Sequence, residues 1–263
     1  MRFLDNVMSD FINKAPDSFK NAKYSAMRER SVGLGVMRLH SFFQQKNIPF
    51  GSVMSKIWNK KIFKHIQEQA DKASIKLAEE RGACPDAEEY GIKERFSNKT
   101  AIAPTASISV ICGGASPGIE PIAANSYTHK TLSGSFNVRN KYLAAILEKH
   151  NKNDDETWSS ITTNQGSVPH LDFLTDEEKD TFKTAFEIDQ KWIVELGADR
   201  TPNISQAQSI NVFVPADIHK KELHQIHFQA WKKGLKSLYY CRSKSIQRAE
   251  NVNTGSSTDV TKN

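Results

Sequence analysis

The chain has 263 residues, with 36 Lys and Arg against 30 Asp and Glu, so it carries a formal charge of +6. That length suffices for a sizeable buried core, and no stretch reaches the 18 or more apolar residues of a membrane-spanning helix. Three cysteines (Cys84, Cys112 and Cys241) stand far apart with no CxxC pair, which argues against a disulfide framework and a structural zinc site. The first residues, MRFLDNVMSDF, carry two aspartates and lack the apolar core of a secretory signal, so a cytoplasmic protein with reduced thiols is expected. The lysines are dispersed and no long basic run is flanked by aromatics, so no nucleic-acid partner is expected.

In chain order, a first helix through Phe11 and Ile12 is broken by Pro16. Ser31–Val36 (SVGLGV) suits a buried strand end, or a turn where backbones approach closely. From Ser52 to Glu80, Trp58, Ile62, Ile66, Ala70, Ala73 and Leu77 recur every three or four positions, predicting a long amphipathic helix closed by Gly82 and Pro85. Residues 100–125 are short on charge and punctuated by Gly and Pro, the pattern of a buried loop system that brings backbone close to something. The polar run 151–166 reads as surface loop or helix end.

Thr175 with Glu178 forms a capping-box signature, predicting a helix with Phe182, Phe186, Ile193 and Leu196 on one face that ends at Gly197. Ile210–Val214 reads as a strand. Asp217 is expected to cap a helix running to Gly234 with Leu223, Ile226, Ala230 and Trp231 inward, followed by a strand over Lys236–Tyr240. The tail 249–263 lacks aromatics and is expected to be disordered. Strands alternating with helices indicate an α/β architecture with parallel strands.

Four patterns are weighed for chemistry. In Pro104-Thr105-Ala106-Ser107-Ile108-Ser109, hydroxyls beside a possible helix start can form an anion site; a plain N-cap before a buried helix is the alternative. Gly113-Gly114 and Gly118 match neither GxGxxG nor Walker A, so taken alone they form a turn. His219, His224 and His227 lack HExxH spacing and a cysteine partner, and read as ordinary polar residues rather than metal ligands. Tyr239-Tyr240 reads by default as two packed aromatics. Adjacent strand residues face opposite ways, so a redox-active pair needs an irregular backbone there to bring its rings into contact.

Together, ERFSNKTAIAPTASIS, GGASPGIEP and KSLYYCRSKSIQR, with SVGLGV and RGACPD upstream and ADRTPNISQAQSINVFVPAD between, resemble the C-terminal part of class I ribonucleotide reductase large subunits over residues 1–248. The resemblance implies the C-terminal half of a ten-stranded α/β barrel. It gives Thr105, Ala106, Ser107 and Ser109 to the substrate diphosphate. It makes Tyr240 and Tyr239 a radical relay, from the small subunit through Tyr240 to Tyr239 and on to the thiyl-forming cysteine. The family's Asn-x-Cys-x-Glu thiyl loop, its redox cysteine pair, its nucleotide-effector region and the paired cysteines of its mobile tail have no counterpart in this sequence.

The chain is therefore expected not to reduce a ribonucleotide alone and to bind no cofactor itself. The radical would come from a metal-containing small subunit and the reducing equivalents from an external dithiol. With Met1 standing between family motifs, the leading expectation is one part of a split large subunit that joins a separate N-terminal part, the small subunit and a ribonucleoside diphosphate. The alternatives are an inactive remnant or non-enzymatic module that still binds the small subunit, and a partial stretch of a continuous subunit.

Overall fold

The computed structural model describes residues 1–131 and 134–243; the expected disordered tail lies outside them. Four segments pair in parallel, in the order 32–34, 98–102, 206–214 and 239–243. Leu34 bridges Thr100 and Ile102 bridges Gln208, while β3 (Val212–Val214) pairs with β4 (Cys241–Ser243). Parallel neighbours need long crossovers, and helices fill each one. The first holds α3 (Leu39–Gln45), α4 (Val53–Arg81) and α5 (Pro85–Glu89). The second holds α6 (Ala106–Ile111), a hairpin of β1 (Ser126–Thr131) and β2 (Gly134–Arg139), then α7 (Lys141–Lys149), α8 (Asp155–Thr163), α9 (Asp176–Thr181) and α10 (Gln190–Arg200). The third is α11 (Lys220–Lys232). Two helices, α1 (Arg2–Lys14) and α2 (Lys20–Glu29), precede the first segment. No helix among the described residues is long and apolar enough to cross a membrane.

SVGLGV does bring backbones together. A Cβ on Gly35 would stand 2.5 Å from the Ala101 carbonyl oxygen, closer than real contacts allow, so glycine is required for the Leu34–Thr100 pairing. The main core lies between these segments and the helices, around Leu39, Phe43, Phe50, Phe63, Ile102, Leu196, Ile210 and Phe213. A second core joins α7, α8 and α9 through Leu143, Leu147, Trp158, Ile161 and Phe182.

On α4, Ser52 caps the first turn in a reciprocal pair with Ser55, and Gly82 at φ +86° ends the helix. Its most buried line is partly polar. Ser55, Asn59 and Ser74 lie there beside Phe63, Ala70 and Leu77, and the predicted Trp58, Ile62 and Ile66 flank it. Asn59 donates to the Leu196 carbonyl (2.9 Å) and accepts from the buried Arg200 guanidinium (3.1 Å), which also reaches Gln208 (2.5 Å).

At the N-terminal end, Asp5 is fully buried and gathers three arginines from separate segments: Arg30 at the end of α2 (2.7 Å), Arg81 at the end of α4 (2.6 Å) and Arg95 (2.9 Å). Burial alone would raise its pKa. The guanidinium hydrogen bonds outweigh that and hold the carboxyl below its ordinary value.

Several predicted boundaries move. The helix opened by the Thr175–Glu178 capping box ends at Thr181, because Phe182, Ala185 and Ile188 turn into the cores and Glu187 accepts from the Thr184 amide (2.8 Å). Gly197 does not end the next helix. It lies inside α10, where a Cβ would meet the Ile210 side chain at 2.9 Å. The cap of α11 is His219 rather than Asp217, and Trp231 is 72% exposed because only Ile226 and Ala230 are buried on that helix. The polar run 151–166 contains a full helix, α8, capped by Asp154. The strand predicted at Lys236–Tyr240 begins at Cys241.

Candidate functional site

The first half of the site is the loop from Pro104 to Gly118, which leaves the strand segment at Ile102. Thr105 has φ +54°, a strained region for a β-branched residue. Its hydroxyl oxygen accepts from the Gly118 amide at 2.7 Å, tying the two ends of the loop together. A Cβ on Gly118 would meet the Ala103 carbonyl oxygen at 2.9 Å, so only glycine permits this approach. With Thr105 engaged across the loop, no side chain caps α6. Of the two readings of this sequence, the plain N-cap is not what forms.

Ala106 and Ser107 are exposed on the first turn of α6. Ser109 differs. It is buried, and its hydroxyl donates to the Ala106 carbonyl (3.1 Å), bracing the turn from within. Gly113 and Gly114 have φ of +82° and +65° and donate to the Val110 carbonyl (3.2 Å each), so they form the turn that closes α6. The following residues are anchored to α3 by five hydrogen bonds. Ser41 and Ser116 each present a hydroxyl to the other's amide (3.0 and 2.9 Å). The Arg38 and Leu39 amides donate to the Ser116 and Gly118 carbonyls, and the Ile122 amide donates to His40 Nδ1 (3.0 Å). Burial pushes His40 down to about 3, so the imidazole is neutral and its Nδ1 is free to accept.

The second half is the tyrosine pair. Tyr239 donates its amide to the Ile210 carbonyl (2.8 Å), while it is the Tyr240 carbonyl that accepts from the Val212 amide (3.0 Å). In a regular parallel ladder, one residue would make both bonds. Here two residues oppose Asn211, a two-for-one bulge. The extra residue removes the alternation that would send the rings to opposite faces. Their centroids lie 4.1 Å apart at 46°, and both rings are about half exposed. Hydrogen bonding to Tyr240, which holds the neutral Tyr239 phenol as donor, raises that phenol above its ordinary pKa. The contact therefore has the irregular backbone that the sequence argument requires.

Between the halves stands a residue that sequence reasoning passed over. Glu120 is 6% exposed and accepts from the Asn211 amide nitrogen at 2.5 Å, and Asn211 accepts from the Tyr240 amide at 2.9 Å. Burial raises the Glu120 carboxyl to about 7, against the opposing pull of Arg242 and Asn211. Its signal was visible: Glu120 is the one charged side chain in residues 100–125.

The other candidates have ordinary work. His219 caps α11, His227 bonds the Leu223 carbonyl, and His224 stacks on Phe228. Among the described residues, no three His, Cys, Asp or Glu side chains gather to hold a metal. Cys84 is buried, Cys112 and Cys241 are exposed, and all three are free thiols.

The model of the ribonucleotide reductase barrel domain matches residues 1–93 and 86–241. The ribonucleoside-diphosphate reductase large subunit of Invertebrate iridescent virus 6 is 47% identical over 97% of this chain and 27% of its own length. The large subunit of Invertebrate iridescent virus 3 is 44% identical over 95% of this chain and 40% of its own length. Among solved structures, the Actinobacillus ureae class Id ribonucleotide reductase alpha subunit superposes with a TM-score of 0.86 at 39% identity, covering 94% of this chain and 46% of that one. The chain thus spans less than half the length of these relatives, and throughout that span it belongs to the ribonucleotide reductase large-subunit barrel family.

Proposed function

We propose that this chain supplies the diphosphate-binding loop and the radical-transfer tyrosines of a ribonucleoside-diphosphate reductase. On this reading Thr105 shapes the loop, and Ala106 and Ser107 present backbone amides and a hydroxyl to the substrate diphosphate, with Ser109 supporting the turn from below. Tyr240 would receive the oxidising equivalent from the small subunit and Tyr239 would pass it inward, each hop moving one electron with one proton. The 4.1 Å ring contact is the observation that carries the relay reading, since it keeps the hop short.

The thiyl cysteine and the remaining wall of the site must come from the Asn-x-Cys-x-Glu part of the large subunit, which this sequence does not contain. The uncovered surface agrees with a need for company. Ile108, Val110 and Ile111 are 56%, 52% and 84% exposed on α6, an apolar face left in water. In the complete reaction a dithiol is oxidised to a disulfide, and the ribonucleoside diphosphate loses its 2′-hydroxyl as water.

The test is cytidine diphosphate reduction by this chain together with the rest of the large subunit and the small subunit, with dithiothreitol as reductant. Deoxycytidine diphosphate should form only with all parts present and disappear with Tyr240→Phe. No product and no complex by size exclusion would leave the alternative of an inactive remnant.

A further inference from the structure

We infer that Glu120 and Asn211 are positioning residues that fix the contact between Tyr239 and Tyr240. The inference rests on the relay reading given above and adds the means by which the pair is held. The bulge leaves the Tyr240 amide without a backbone partner in the ladder, and the Asn211 side-chain oxygen takes that place at 2.9 Å. A carboxamide has one accepting and one donating end. Asn211 is fully buried, so the end that faces Tyr240 is decided by what the other end meets. Glu120 meets it at 2.5 Å with an oxygen acceptor, which requires the amide nitrogen there and the amide oxygen at Tyr240. Without that acceptor, the flipped amide would set its NH₂ against the Tyr240 N–H, and the bulge would lose the bond that satisfies it.

The chain connection gives this arrangement a second consequence. Glu120 lies two residues beyond Gly118, whose amide is gripped by Thr105, and the Glu120 amide donates to the Pro117 carbonyl (3.0 Å). The loop assigned to the diphosphate and the backbone of the tyrosine pair are therefore joined through one short run: Thr105, Gly118, Glu120, Asn211, Tyr240.

The experiment uses the complete reductase with cytidine diphosphate and dithiothreitol. Glu120→Leu, which removes the acceptor, should lower kcat by about tenfold or more while KM stays within about twofold, since ring placement and not diphosphate binding is disturbed. Glu120→Gln retains an accepting oxygen and should restore kcat to within about threefold of the parent. Glu120→Asp withdraws the carboxyl by one methylene and should fall between them; it takes the place of the leucine variant if that one does not fold. A folded Glu120→Leu or Glu120→Asp enzyme with parental kcat would overturn the inference, as would a Gln variant as impaired as Leu, or KM rising in step with the loss. Tyr240→Phe run in parallel separates the two claims. If it retains full activity, the relay reading has failed; if it is inactive while every Glu120 variant is normal, only the positioning role has.

Discussion

Asp5 and Glu120 are both buried carboxyls, and their surroundings drive them in opposite directions. Asp5 meets three guanidiniums and is held below its ordinary pKa, whereas Glu120 meets one amide donor and is raised to about 7. Burial pushes both upward, so the difference lies in what each carboxyl is paired with. Asp5 fastens α1, the end of α2, the end of α4 and the Arg95 loop into one body. Glu120 accepts one side-chain hydrogen bond, from Asn211, and its role is to orient that neighbour. A buried charge that stabilises a fold and one that arranges a site can be told apart by their partners.

Breaking the first should have the largest effect. Asp5→Asn leaves buried arginines without their anion and should cost about 3–5 kcal/mol in chemical unfolding. A loss of under about 1 kcal/mol would show that the guanidiniums find water instead. Acid should act in the same direction. Because the folded-state pKa of Asp5 is depressed, its contribution is present above its unfolded value near 3.8 and disappears as pH falls through the lower folded value. Acid unfolding of the parent, followed against Asp5→Asn, checks this.

Glu120 should show the reverse sign and a smaller size. Its folded pKa lies above the ordinary 4.5, so the native state holds the proton longer and stability declines as pH rises from 4.5 through 7. Glu120→Gln should therefore stabilise by about 1–3 kcal/mol above pH 7 and make no difference below 4.5. Urea titrations at the two pH extremes would show it, and a destabilised Gln variant at high pH would mean that the carboxylate is welcome there. The smallest effect is the coupling between them. The two sites share no partner, so Asp5→Asn and Glu120→Gln should add to within about 0.5 kcal/mol, as a double-mutant cycle would measure.

Much of the scaffold was legible because its determinants are local. Pro16 ends α1, Gly82 ends α4, and the Thr175–Glu178 box starts α9, each through chemistry confined to a few neighbouring residues. Boundaries set by tertiary packing were not. The break after Thr181 depends on two cores drawing Phe182 and Ile188 away, and the exposure of Trp231 depends on how narrow a face α11 turns inward. The β1–β2 hairpin was missed although Ser133-Gly134 stood there as a turn signal, because the run around it has no strong alternation of apolar residues. For the site, PTAS and the tyrosine pair were visible as motifs. The link between them was not, since Glu120 and Asn211 lie 91 residues apart and meet only in the folded chain.

The bulge at Tyr239-Tyr240 also makes the reading frame of this strand matter. Deleting Cys241 would let Tyr239 and Tyr240 face Asn211 and Val212 one to one in an ordinary ladder, and the two rings would part to opposite sides of the sheet. The more regular strand would be the poorer one for this pair. Insertions and deletions in the connection from α11 should thus be tolerated around Gly234, where the turn is open and a Cβ would meet nothing within 4 Å, and refused once they reach the residues opposite Asn211.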